Sequence, residues 1–199
     1  MSPIIDGVWA EFQAEVANHY VKLKHREGLY RHYVVQRTGT RLWSWEIVTW
    51  PGALAIRGDA FGDWIFADKH RDDVMRVVAS SAEREKSGMP KLNFGYEAEL
   101  LGDPLRAYKY YPSVFLAEIR RFLSAQTTEM VGVREREALL ADAEFHCETE
   151  AEAREWADAQ LSRLDPDFHN EAGFTDFDGD FLRACFAIYT TRRLGGQAR

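Results

Sequence analysis

Leu29–Asp68, LYRHYVVQRTGTRLWSWEIVTWPGALAIRGDAFGDWIFAD, holds four strand-like runs separated by turn chemistry, and four of the chain's six tryptophans. The first run is about Leu29–Arg37. Thr38-Gly39-Thr40 supplies a hairpin turn, after which Trp43, Trp45 and Ile47 alternate with Ser44, Glu46 and Val48, the period-two pattern of a strand with one face buried. Pro51-Gly52 pre-sets the next turn. Ala53–Arg57 makes a third strand, and the turns at Gly58-Asp59 and Gly62-Asp63 lead into a fourth, Trp64–Ala67. These connections are too short for helical crossovers, so the four strands form an antiparallel meander from Leu29 to Ala67.

Outward from this sheet the chain reads as helical. Over residues 6–24, Trp9, Phe12, Val16, His19/Tyr20 and Leu23 recur at helical spacing, with Asp6 as a cap and Gly28 as the exit. Residues 70–80 read as a short helix and Ser87-Gly88-Met89-Pro90 as a loop. Pro112 opens a helix to about 126 through Phe115, Ile119, Phe122 and Leu123. Residues 133–146 form another. Thr149 followed by Glu152 is a capping-box pattern, opening a helix with Ala153, Trp156, Ala157, Gln160, Leu161 and Leu164 on one face, which Asp165-Pro166 ends. A last helix, about Thr175 to Arg193, aligns Phe177, Phe181, Cys185 and Ile188, with Arg192 and Arg193 at its C-terminal end, where the helix dipole favours them. The fold class expected is α+β: a four-stranded antiparallel meander packed by the N-terminal, 112–126 and C-terminal helices.

With 199 residues, 46% hydrophobic and 29% charged, the chain suits a single domain with a sheet-containing core over about 1–126 and an acidic helical part over about 127–199. The apolar runs are short and MSPIIDGVWAEF lacks a basic region ahead of an apolar one, so neither a membrane span nor a secretory signal is expected. Cys147 and Cys185 read as small buried hydrophobes rather than a disulfide. The net charge of -7 is unevenly spread: residues 1–134 hold 17 acidic and 18 basic side chains, 135–180 hold 15 and 3, and 181–199 hold none and 4. Such an acidic block repels phosphates, which argues against direct nucleic-acid binding and for a partner with a basic surface.

Candidate chemistry is sparse. His19, His25 and His32 lie six and seven residues apart, with Glu27 nearby; imidazoles titrate near neutrality and bind divalent metals, yet this spacing matches no ligand pattern, and polar packing is the simpler reading. Asp165, Asp167, Asp176, Asp178 and Asp180 are dense in oxygen, but Gly179 comes too early for a calcium loop, and capping of a helix start accounts for them. Arg57-Gly58-Asp59 reads as a turn, with Asp59 joining the three histidines as a catalytic candidate. The tryptophans could stack bases, but their alternation fits a core face. No metal and no cofactor is called for.

The strings HYVKLKHREGLYRHYVV, TWPGALAIRGDAFGDWIFA, LNFGYEAEL and DGDFLRACFAIYTTRRL resemble a group of small uncharacterised proteins encoded by tailed bacteriophages and prophages, in order along the chain except over residues 127–173. The resemblance carries no catalytic residue or cofactor. It implies an accessory phage protein acting in the bacterial host cytoplasm. Two functions are compatible with it. One is an inhibitor of a host protein, such as an anti-CRISPR or other anti-defence factor, presenting Glu144, Glu148, Glu152, Glu155 and Asp158 as a phosphate-mimicking surface. The other is a small enzyme or nucleotide-binding protein using the His19/His25/His32/Asp59 region, which requires these side chains to converge on one pocket.

Overall fold

The computed structural model describes residues 3–78, 88–127, 130–166, 168 and 174–195, and the chain divides into two compact units, residues 1–107 with 177–199, and residues 108–176. In the first unit, α1 (Pro3–Val16) precedes a five-stranded antiparallel sheet in chain order: β1 (Tyr20–Glu27), β2 (Tyr30–Gln36), β3 (Trp45–Trp50), β4 (Ala53–Gly58) and β5 (Gly62–Ala67). Short helices α2 (Val74–Val78) and α3 (Phe94–Glu99) follow.

The α+β class and the meander stand, with one strand more than the sequence suggested. Residues 20–27, read as the end of the first helix, are β1. Helical spacing through Val16, Tyr20 and Leu23 competes over this stretch with strand alternation, in which Val21 and Leu23 share a side. The chain leaves α1 in a turn at Ala17-Asn18, and Gly28, expected as a helix exit, sits in the β1–β2 hairpin turn with φ 59°, a left-handed conformation open to glycine without steric cost. β2 to β5 otherwise follow the predicted runs within two residues.

One face of the sheet is buried. Val35, Trp45, Ile47, Leu54, Ile56, Trp64 and Phe66 join Trp9 and Phe12 of α1 in a core completed by α7 (Gly179–Gly195). α7 is more central than one apolar stripe suggested: Phe181, Leu182, Ala184, Cys185, Phe186, Ala187 and Ile188 are all buried, and Trp45 Nε1 donates to Thr191 Oγ1 at 2.8 Å. It begins at Gly179 rather than Thr175, and Asp178 accepts from the backbone N–H groups of Asp180 and Phe181 at 2.7 and 3.2 Å, the capping role expected of an acid there.

The chain enters the second unit through β6 (Tyr108–Tyr110) and leaves through β7 (Thr175–Phe177), and these strands pair. Between them lie α4 (Pro112–Ala125), α5 (Val133–His146) and α6 (Glu150–Leu161). The helix over 112–126 was expected on the sheet. Instead Phe115, Ile119 and Leu123 pack with Leu139, Ala143, Ala153, Trp156, Ala157, Leu161 and Phe174 in a separate core. The reason lies in its neighbours: α5 and α6 each offer a narrow apolar stripe, and α4 supplies the complement. The Thr149–Glu152 capping box forms in both directions. Cys147 and Cys185 are buried and free. No helix among the described residues is long and apolar enough to cross a membrane.

Candidate functional site

The four catalytic candidates occupy three places. His19, between α1 and β1, is turned into the core and stacks on Trp45 with ring centroids 5.7 Å apart. Only 8% of it is exposed, and neither ring nitrogen makes a hydrogen bond of normal geometry. Burial lowers its pKa, prevailing over the opposing influence of the nearby Trp43 and Leu42 carbonyls, so the ring is held neutral. Asp59 has a turn function. Its Oδ2 accepts from Trp43 N at 2.9 Å and thereby holds Trp43 at φ 58°, a left-handed conformation that costs a non-glycine residue about 1–2 kcal/mol. Arg57 Nη2 lies 3.7 Å from Glu46 Oε2.

His25 and His32 do meet, as direct partners across β1 and β2. Together with Glu27, Tyr30, Arg31, Val48 and Thr49 they line a cavity of about 420 Å³. His32 Nε2 lies 3.3 Å from Glu46 Oε2, and His25 Nε2 lies 3.9 Å from Glu27 Oε2. Each of these imidazoles has a carboxylate beside it, but His19 and Asp59 are not part of this cavity, and the convergence that an enzyme built on all four requires does not occur. Among the described residues, no three His, Cys, Asp or Glu side chains gather as a metal site.

The acidic candidates lie in the second unit, and all five are exposed. Glu148, Glu152, Glu155 and Asp158 recur at intervals of four, three and three, which places them along one side of α6 and its cap, opposite the buried Ala153, Trp156 and Ala157. Glu144 stands in the last turn of α5. Glu152 is partly committed: its carboxylate accepts from Thr149 N at 2.9 Å, and that backbone bond lowers its pKa. This unit carries 15 acidic and 7 basic side chains, and several of the basic ones are engaged within it. Arg121 bonds Glu118, Arg163 bonds Glu135 and Arg154 bonds Glu150. Arg136 donates to the Val131 and Gln126 carbonyls. The excess negative charge is therefore left at the surface.

Phe145 escaped the sequence reading. It is 79% exposed beside Glu144, with its ring edge-on to that of His146 at 4.8 Å. The signal was available, since Phe145 falls off the Leu139–Ala143 stripe that α5 buries, on the polar side of the helix. An exposed phenylalanine next to an exposed acid has the makings of an aromatic anchor beside a charged rim.

No family model matches the chain, and no curated protein or solved structure is significantly similar to it.

Proposed function

We propose that the protein acts by binding another protein, using the acidic face of α5 and α6 to hold a basic surface, in the role of a phage accessory inhibitor that occupies a site where a host protein normally holds phosphates. The observation that carries this reading is the exposed Phe145 on a unit whose acidic side chains Glu144, Glu148, Glu155 and Asp158 are also exposed. The carboxylates of Glu144, Glu148, Glu155 and Asp158 would steer a basic partner, and burial of the ring would retain it. The phage setting rests on the sequence resemblance alone.

The test combines charge and anchor. A bacterial host extract is passed over immobilised wild-type protein, over a quadruple variant (Glu148→Gln, Glu152→Gln, Glu155→Gln, Asp158→Asn) and over Phe145→Ala. Glutamine at 152 keeps the capping box, because either side chain can accept from the cap N–H. The expected result is one dominant protein retained by the wild type, released as salt rises and lost from both variants. Equal retention by the quadruple variant removes the phosphate-mimic reading.

A further inference from the structure

The first unit contains a second charged feature, of opposite sign. β1 pairs with β2 in simple register down to Leu23↔Tyr33, and a β-bulge then inserts one residue before His25↔His32 and Arg26↔Arg31. A bulge re-aims the side chains beyond it. Here it sets Arg26 directly opposite Arg31, a like-charge pairing that opposes strand association. Both arginines line a cavity of about 320 Å³, joined there by Arg76 of α2 and Arg192 of α7. Among the described residues Asp73 is the one carboxylate in this lining, and it is committed: Oδ2 accepts from Arg31 Nη2 at 3.1 Å and Oδ1 from Arg76 N at 3.2 Å. Among the described lining residues, Arg26, Arg31 and Arg76 thus bring three guanidinium groups to a cavity whose carboxylate is already engaged.

Two of the guanidinium groups, those of Arg31 and Arg192, are also oriented. Arg31 Nε donates to the Gly28 carbonyl at 3.0 Å, so with Nη2 on Asp73 its planar head is fixed and Nη1 remains available. Its side chain is only 21% exposed, which limits the screening of its charge by water. Arg192 is tethered through Nη1 to the Arg76 carbonyl at 3.3 Å. Apolar walls complete the cavity, from Val21, Leu23, Tyr33 and Met75. Gly195 closes on the Tyr33 ring, 3.4 Å from where a Cβ would stand.

We propose that this cavity binds the phosphate monoester of a small organic molecule, the phosphate between Arg26, Arg31 and Arg76 and the organic part against Leu23, Tyr33 and Met75. A guanidinium fork matches phosphate geometry, and a dianion with three free oxygens accepts more donors than a single carboxylate can. The volume is at the small end of the range of small-molecule sites. This site is independent of the acidic surface of the other unit.

The probes are adenosine 5′-monophosphate, adenosine, inorganic phosphate and a single-stranded oligothymidylate, titrated calorimetrically at matched ionic strength into wild type, Arg26→Gln and Arg193→Gln. Arg26 is exposed and its replacement removes a like-charge pair, so its variant should fold with an unchanged or higher thermal midpoint. Arg193 lies outside the lining and serves as the control. The expected result is that the monophosphate binds more tightly than adenosine or inorganic phosphate, that Arg26→Gln weakens it tenfold or more, and that Arg193→Gln leaves it unchanged. Equal weakening by both variants, no effect of Arg26→Gln, or no binding by wild type overturns the site. Inorganic phosphate binding as tightly as the monophosphate overturns the organic subsite, and an oligothymidylate binding far more tightly than either overturns the small-ligand assignment.

Discussion

Glu97 of α3 is a carboxyl group in the core of the first unit, 3% exposed, with Oε2 unpartnered. Desolvation raises its pKa to about 8, and a hydrogen bond with Cys185 only partly opposes that; the same burial pushes the Cys185 thiol well up. The folded protein therefore holds a proton that the unfolded chain releases near pH 4.5. The stability this proton brings is complete below pH 4.5 and is lost as pH rises to about 8, a span worth about 5 kcal/mol. Glu97→Gln, neutral at every pH, should flatten that decline, so denaturant titrations at pH 5 and pH 8 should show the variant gaining on wild type at the higher pH. An unchanged slope would mean that Glu97 is ionised in the folded protein. His19 acts in the opposite sense. Its folded pKa is lowered by burial, so the unfolded chain takes up a proton first and stability falls as pH drops below about 6.5. His19→Phe, which keeps a ring on Trp45, should remove that acid-side loss.

Among the elements, two local devices invite substitution. A Cβ on Gly58 would stand 2.5 Å from Cζ of Phe61, a ring that is 3% exposed and packs against Trp45. Gly58→Ala must displace this ring and should cost about 1–3 kcal/mol in chemical denaturation; a neutral result would show that the turn yields. Thr149→Ala removes the α6 cap and should cost about 1 kcal/mol, with faster amide exchange confined to the first turn of α6. Legibility at this scale followed the uniqueness of each pattern. The strands from 30 to 67 were readable because period two and turn chemistry agree there, and α6 because the capping box marks its start. β1 was not, since the two periods compete over this stretch and strand pairing with β2 decides between them. The bulge in β1 leaves no local mark at all, so the meeting of His25 with His32 and of Arg26 with Arg31 could not be read from spacing.

Across the whole molecule, charge follows the division into units: the acidic excess falls in residues 108–176, while the remainder of the chain, with 17 acidic and 18 basic side chains, is nearly balanced. The sequence showed the acidic block but not its core partner, because α4 lies outside that block and joins it only through packing. Among the described residues the two hydrophobic clusters share no buried side chain, so each core can be perturbed by itself. Phe115 is fully buried in the second cluster, edge-on to Trp156 at 6.0 Å and to Phe174 at 4.8 Å. Phe115→Ala removes both contacts and leaves a cavity, a loss of about 3–5 kcal/mol, comparable with the whole stability of a small domain. Hydrogen exchange on this variant should show α4, α5 and α6 losing amide protection while β3 and β4, which draw their burial from the first cluster, keep theirs. Trp45→Ala should give the converse pattern. Protection lost together in both units after either substitution would show that the two cores unfold as one cooperative body, and the acidic surface could then not be altered without cost to the sheet.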